Sequence, residues 1–424
     1  MTPALLRNAA SFTTANPHAL ATILEASQTR NIIASRDIFD ISGIKLWARD
    51  QPVSAALQRK LLDRQLRNPL ESCLLAENGV TAATLVQAAD ALLARPTPLA
   101  ALLRPHAERV VREVAHLPLH SVAQLLLTVA QASRPALFDH AVQAMALCGA
   151  MMDAQGGSTA ELRMALLCGL LHDLGEVYID PRYGEADADR DLDFLSYQQL
   201  VVHPHVGHLL IAQLTNYPAA LSRAIAEHHE RLDGSGYPHG LQRDAISPLG
   251  RMLGVAEATL GVLRAGGRGD LARASVALRA VPGEFDLHWV QAIETAARAQ
   301  PLGDASLPLH AVQSRLGRLD TALQVAQASA DALAPQVQSP ALEGAVQLTR
   351  QLLGRLRLGW NASGLWSPEA VCARDAAEVE AIEAELIFRL RGIERAARLR
   401  AGELPPGEAT RLDALCSALN VGNA

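Results

Sequence analysis

From Ser133 onward, apolar residues recur every three or four positions, the period of a helix that turns one face inward. Leu137, His140, Ala144, Leu147 and Met151 form one such stripe. After Gly156-Gly157, the run Ser158-Thr159-Ala160-Glu161 has the spacing of a capping box, serine bonding forward and glutamate back. The helix it opens carries Leu162, Ala165, Leu166, Gly169, His172 and Asp173 on one face, and Gly175 is expected to end it in a left-handed cap. His203-Pro204 and Ser247-Pro248 each open a further helix, with proline in the first turn where its missing N–H costs nothing. Leu249, Leu253, Glu257 and Leu260 line up along the second of these. Between them, Pro218 starts a helix whose stripe is Leu221, Ile225, His228 and His229, and Asp233-Gly234-Ser235-Gly236 breaks it into a tight turn.

Outside this stretch the pattern carries less chemistry. Residues 1–30 are polar and read as loosely held. Asp37 to Trp47 alternates in part around Ser42-Gly43 and predicts a short two-strand element. Residues 53–70 and 81–130 are helical in pattern, with Pro96, Pro98, Pro105 and Pro118 punctuating the second. Residues 178–199 are acidic and irregular and read as a solvated loop. After Leu302, the stretches His310–Leu333, Ala341–Leu358, Ala373–Leu399 and Glu408–Leu419 predict a helical bundle or a set of hairpins. Glu378, Glu380, Glu383 and Glu385 with Arg389, Arg391 and Arg395 are expected to lace its outer surface with charge. The chain thus reads as mainly α, in three segments: 1–130 with short strands and helices, 131–302, and 303–424.

Composition narrows the function classes. At 424 residues the chain can hold two or three domains. A formal charge of −6 argues against binding duplex nucleic acid, which needs a basic face, but leaves room for a small phosphodiester pocket. Cys73, Cys148, Cys168, Cys372 and Cys416 show no CxxC spacing and read as reduced thiols of a cytoplasmic protein. The sequence shows neither a signal peptide nor an apolar run long enough to span a membrane.

The candidate chemistry lies on the apolar stripes. His140, His172, Asp173, His203, His228, His229 and Glu257 are metal-type ligands set on inward faces or at helix mouths. A single buried histidine is usually a hydrogen-bonded core residue. Seven ionisable groups so placed are better explained by bound cations, because such groups are seldom buried otherwise. Neighbouring His228 and His229 would point about 100° apart on a helix, which suits two ions better than one. His205 and His208 read as solvated or supporting, and His18, His239 and His310 carry no role.

His172-Asp173, the double histidine and the turn Asp233-Gly234-Ser235-Gly236-Tyr237-Pro238 resemble the HD-GYP family, a branch of the HD metal-dependent phosphohydrolases. The resemblance runs from about Leu137 to Ile293. It implies an HD-superfamily helical bundle that hydrolyses cyclic di-GMP to pGpG or GMP, with two divalent metal ions, iron or manganese. By position it implies the seven ligands above, Asp173 bridging. His172, Asp173 and Glu176 would then be catalytic. Asp233, Gly234, Gly236, Tyr237, Pro238, Arg264 and Arg268 would line the substrate site, Tyr237 stacking on or bonding to a nucleotide; Gly-Tyr-Pro reads equally as a packed turn.

The chain departs from the family pattern at four places. Glu176 stands where the family usually has lysine, and Glu257 where it usually has aspartate. Thr259 to Arg268 replaces a stretch ending in Arg-Pro-Tyr-Lys, so Arg264 or Arg268 would have to substitute. Ala136 stands where some members place a glutamate for a third metal. Two alternatives therefore stay open: a weakly active or inactive sensor or scaffold that keeps metal or nucleotide, and a phosphohydrolase for another nucleotide. Regulation, docking to a partner or homodimerisation is the role expected of the C-terminal helices.

Overall fold

A computed structural model describes residues 12–61, 63–184, 193–264, 270–298, 307–367, 371 and 376–419. They are mainly helical, with two small antiparallel sheets near the N-terminus. Ile38–Phe39 pairs with Lys45–Trp47 across a turn in which Gly43 takes a φ of 87°, as the alternation suggested. The second sheet, Ile32–Ala34 against Leu74–Ala76, joins strands too short and too far apart in sequence for a local pattern to reveal. Residues 12–30 are not loose: Asn16 caps a helix over Pro17–Ala26 that buries Ala19, Leu20 and Ile23. The helix expected over 53–70 is confined to Ala55–Leu61, because Asp63 is left-handed and the backbone at Leu66 bridges to Asp40 instead.

By contacts the chain divides into two compact units, 1–228 with 247–256, and 229–246 with 257–424. The division passes through the peptide link between His228 and His229 and through the helix Pro248–Arg264. In the first unit, Pro135–Ala154 packs along Thr159–Leu171, and the 3₁₀ helix His172–Tyr178 packs on His203–Leu214, which also meets Ala219–Glu227. Gly169 permits the first packing: a Cβ there would sit within 2.6 Å of the Met145 nitrogen. Leu137, Ala144, Leu147 and Met151 are buried as their spacing predicts, and Cys148 and Cys168 are buried as well. The Ser158 capping box forms, with the serine side chain accepting from Glu161 N and the glutamate closing back.

Gly175 does not end the Thr159–Leu171 helix in a left-handed cap. The chain runs on as 3₁₀ helix, and Gly175 serves close approach instead: a Cβ there would penetrate the His203 carbonyl oxygen and lie 2.8 Å from the Gly207 nitrogen. The stretch read as an irregular loop also contains a helix, Phe194–Leu200, capped by Asp193; residues 185–192 lie outside the described residues.

In the second unit, Leu309–Leu333, Pro340–Ser363, Ala376–Ala401 and Pro406–Leu419 realise the four predicted stretches around a core that includes Leu316, Leu353, Trp360, Leu390 and Leu415. The charged surface expected on Ala376–Ala401 is only partly exposed. Glu383 is fully buried against Arg315 at 2.8 Å, Glu380 is buried, and Arg389 is 14% exposed. This helix packs on four others, Leu271–Arg279, Leu309–Leu333, Pro340–Ser363 and Pro406–Leu419. Helical spacing shows which residues share a face, not how many faces become covered. Among the described residues, no helix is long and apolar enough to cross a membrane.

Candidate metal centre

Four histidines and one aspartate meet at the core of the first unit, all at most 2% exposed. Each comes from a helix or its end: His140 from Pro135–Ala154, His172 and Asp173 from the 3₁₀ turn that follows Thr159–Leu171, His203 from the first residue of its helix, and His228 from the cap of Ala219–Glu227. Asp173 lies at the middle. Its Oδ2 faces His140 Nε2 at 3.3 Å and His172 Nε2 at 3.1 Å; its Oδ1 faces His203 Nε2 at 3.3 Å and His228 Nε2 at 3.4 Å. One carboxylate thus addresses two separate histidine pairs, one with each oxygen.

Proton positions follow from the backbone. His172, His203 and His228 each donate Nδ1–H to the carbonyl three residues earlier, of Gly169, Leu200 and Ile225, at 2.8, 2.7 and 2.7 Å. A carbonyl can only accept, so Nδ1 holds the proton and Nε2 is a bare lone pair in each neutral ring. Burial pushes the His228 imidazole down to about 4, against the pull of Asp173, so it is neutral at pH 7.

For His172, His203 and His228 the result is a set of electron pairs aimed into one space. His203 Nε2 lies 3.1 Å from His228 Nε2, and His140 Nε2 lies 3.2 Å from His172 Nε2. Neither Asp173 oxygen accepts a well-aligned hydrogen bond among the described residues. Such an array repels itself unless cations lie between its members. Nitrogen and oxygen ligands about 2.1 Å from one ion, at right angles, sit roughly 3.0 Å apart, close to the spacings here. The donor set therefore fits divalent metal.

Two further predicted ligands join through chain continuity, His229 as the next residue after His228 and Glu257 as the next after Ala256 in one helix. The candidate groups are Asp173, His203, His228 and His229, and His140, His172, Asp173 and Glu257, each with its ligand atoms within 4.8 Å of one another. His228 and His229 fall in the same group, against the expectation that they would serve different ions. The helix ends at Glu227, so the 100° step of a helix does not govern His229. His205 and His208 belong to neither group, and His208 bonds the Ser222 carbonyl.

The turn after His229 is held from within. Tyr237 stacks on the His229 ring, centroids 4.5 Å apart and planes 17° from parallel, and its N–H donates to the His229 carbonyl at 3.1 Å. Gly236 presses on the same segment, where a Cβ would lie 2.5 Å from the Arg231 nitrogen. The Tyr237-Pro238 bond is cis. Gly234 takes a φ of 86°, and the Asp233 carboxylate accepts from Ser235 N and Oγ, so it closes its own turn. Sequence reading overlooked the two glutamates that flank the histidine pair. Buried Glu230 accepts from His239 N at 2.7 Å and Leu241 N at 2.8 Å, and buried Glu227 accepts from Ser247 N at 2.8 Å. The Glu-His-His-Glu order on a buried stripe was the available signal.

Glu176 and Arg264 are the predicted residues with the most distinctive surroundings. Glu176 is buried one turn beyond Asp173, with its carboxylate turned toward Gly184. Arg134 donates to the Glu176 and Ile179 carbonyls at 2.6 and 3.1 Å; burial disfavours its charge, and the Glu176 carboxylate is the foremost group that offsets this. A lysine at 176 would set a buried cation beside the half-buried Arg134. Glu176→Lys is therefore expected to cost roughly 3–5 kcal/mol, as when a buried pair is broken, and to leave turnover no higher. Thermal unfolding and a hydrolysis assay check this; an unchanged melting point with faster turnover would contradict it. Arg264 Nη2 lies 3.8 Å from Glu257 Oε2, while its buried Nε and Nη1 have no partner among the described residues. Arg268 lies outside the described residues.

Comparison with known proteins agrees with this geometry. The HD domain family matches residues 124–282. A cyclic di-GMP phosphodiesterase of Pseudomonas aeruginosa is 29% identical over 208 residues, 49% of this chain and 47% of that protein. The 3'3'-cGAMP-specific phosphodiesterase 1 of Vibrio cholerae is 28% identical over 138 residues, 32% of this chain and 31% of that one. The cyclic di-GMP phosphodiesterase response regulator RpfG of Xanthomonas campestris pv. campestris is 31% identical over 112 residues, 26% of this chain and 29% of that one. The chain thus spans under half the length of these relatives. The HD domain match over residues 124–282 takes in both histidine pairs that share Asp173, and in that region the chain is similar to HD-GYP-type proteins of the HD superfamily.

Proposed function

We propose that this protein is a two-metal phosphodiesterase of the cytoplasm that opens cyclic di-GMP to pGpG or GMP. The observation that carries the reading is the division of Asp173 between two histidine pairs. His203, His228, His229 and Asp173 would hold one cation, and His140, His172, Glu257 and Asp173 the other, iron or manganese in each case. Two such ions acidify a water and neutralise charge on the phosphoryl oxygens.

The chain's own residues do the rest. Asp173 would keep the two positions close, His172 would serve one of them, and the backbone carbonyls behind three of the histidines orient the rings and raise their basicity. Tyr237 acts through His229, whose ring it covers; this use of its face favours the packed-turn reading of Gly-Tyr-Pro over direct nucleotide stacking. Arg264, with donors to spare beside Glu257, would grip a phosphate of the substrate. Glu176 would balance Arg134 rather than transfer a proton.

The test is turnover of cyclic di-GMP by protein loaded anaerobically with iron or with manganese, beside 3'3'-cGAMP as a competitor substrate. Cyclic di-GMP should be consumed only with metal. Preference for cGAMP would move the assignment to a neighbouring nucleotide, and metal with nucleotide binding but no turnover would make the protein a sensor. Arg264→Gln should raise KM for the dinucleotide about tenfold, since a hydrogen bond to a charged group contributes roughly 1.5–3 kcal/mol, with kcat less affected. An unchanged KM would remove Arg264 from the substrate site.

A further inference from the structure

The loop 229–246 has few regular elements of its own, yet it presents His229. Its outer side is tied to parts of the chain far along the sequence. Gln351, on Pro340–Ser363, donates Nε2–H to the Asp233 carbonyl at 2.8 Å. Leu232 N donates to the Glu284 carbonyl at 2.9 Å, and the Arg231 guanidinium lies 4.9 Å over the Phe285 ring. Glu284 is buried, and its carboxylate receives Arg389 Nε at 3.0 and 3.2 Å. Arg389, on Ala376–Ala401, also donates to the Ala277 carbonyl at 3.1 Å. One guanidinium thus fixes the 284 turn that fixes Leu232.

We infer that the C-terminal helices position His229: Gln351 and the Arg389–Glu284 pair hold the loop at Leu232 and Asp233, and the loop holds His229 through Gly236 and Tyr237. The inference rests on the two-cation reading. It makes the position built from Asp173, His203, His228 and His229 depend on the C-terminal helices. The position built from His140, His172, Asp173 and Glu257 takes no ligand from the loop, because Glu257 is carried by the helix Pro248–Arg264. Loops of this kind open at low free energy, so a few long-range ties decide how often the loop is closed. Anything that binds the C-terminal helices and shifts Gln351 or Arg389 acts on one metal position through this route. Gln351 and Arg389 are positioning residues, not catalytic ones.

The experiment uses the full chain with manganese as the probe. Gln351 is exposed, so Gln351→Ala leaves the fold intact; Arg389→Met removes the buried tie, and Gln351→Lys keeps a donor on a longer arm. Wild-type protein should bind two manganese ions. Gln351→Ala should keep one at wild-type affinity and weaken the other roughly three- to tenfold, the loss of about one hydrogen bond. Arg389→Met should weaken that same ion further, and Gln351→Lys should restore it. In metal-free Gln351→Ala, the amides of Ser235, His239 and Leu241 should exchange faster than in wild type. Two ions titrating as in wild type in both Gln351→Ala and Arg389→Met, or both ions weakened equally, would overturn the inference. Wild-type protein that binds no manganese would overturn the two-cation reading instead, and the exchange rates of the metal-free proteins would then decide the tether alone.

Discussion

Asp173→Asn is expected to empty both metal positions at once and to lower turnover at least about a thousandfold, roughly 4 kcal/mol of barrier. Every other candidate ligand belongs to one group; Asp173 belongs to both. The substitution keeps the shape and removes the charge. It also adds an amide N–H that can donate to the bare Nε2 of one histidine pair. The metal-free variant should therefore be no less stable than metal-free wild type, whose carboxylate faces the bare Nε2 of His172, His203 and His228. Thermal unfolding with and without manganese separates the cases. Wild type should gain stability with the ion, about 2.7 kcal/mol when the free ion is a hundredfold above its dissociation constant, and Asp173→Asn should gain nothing. A variant that retains two ions by elemental analysis would contradict the arrangement.

Gly175→Ala should produce the second large effect, by packing rather than by charge. A Cβ at this position meets the His203 carbonyl oxygen and the Gly207 nitrogen, and neither is a side-chain tip that can rotate away. The helix that begins at His203 must move, and with it His203 Nε2, which now lies 3.3 Å from Asp173. The cost should reach the upper end of overpacking, roughly 3 kcal/mol, with weakened metal at the His203 position. Gly261→Ala is the control. No described atom lies within 4 Å of a Cβ there, and in a helix interior alanine should stabilise by about 0.5–1 kcal/mol. Comparable melting points for the two variants would show that Gly175 is not under this constraint.

The contrast between these glycines marks the limit of local pattern. Both sit beside metal-type residues, and the sequence offers a cap as the usual reason for a glycine at 175. Only the neighbouring His203 segment shows that close approach is the reason. Arg389 makes the same point for charge. Its spacing from Glu385 reads as an exposed ion pair, yet the side chain is 14% exposed and joined to Glu284, 105 residues earlier. Glu227 and Glu230 flank the histidine pair in the sequence, but their partners, Ser247, His239 and Leu241, lie across a turn whose path no periodicity describes.

The sequence by itself determined the helices, the Ser158 cap, the proline starts and the seven metal-type residues, because each rests on neighbours within one or two turns. The HD-GYP resemblance followed from those same residues. Only the tertiary structure decided that each Asp173 oxygen serves its own histidine pair, that His228 and His229 share a group, and that Tyr237 covers His229. It also tied the loop 229–246 to Gln351 and Arg389. Those facts depend on which groups face one another after distant segments pack, and the free energy of that choice belongs to contacts between segments, not to the order of residues within any one of them.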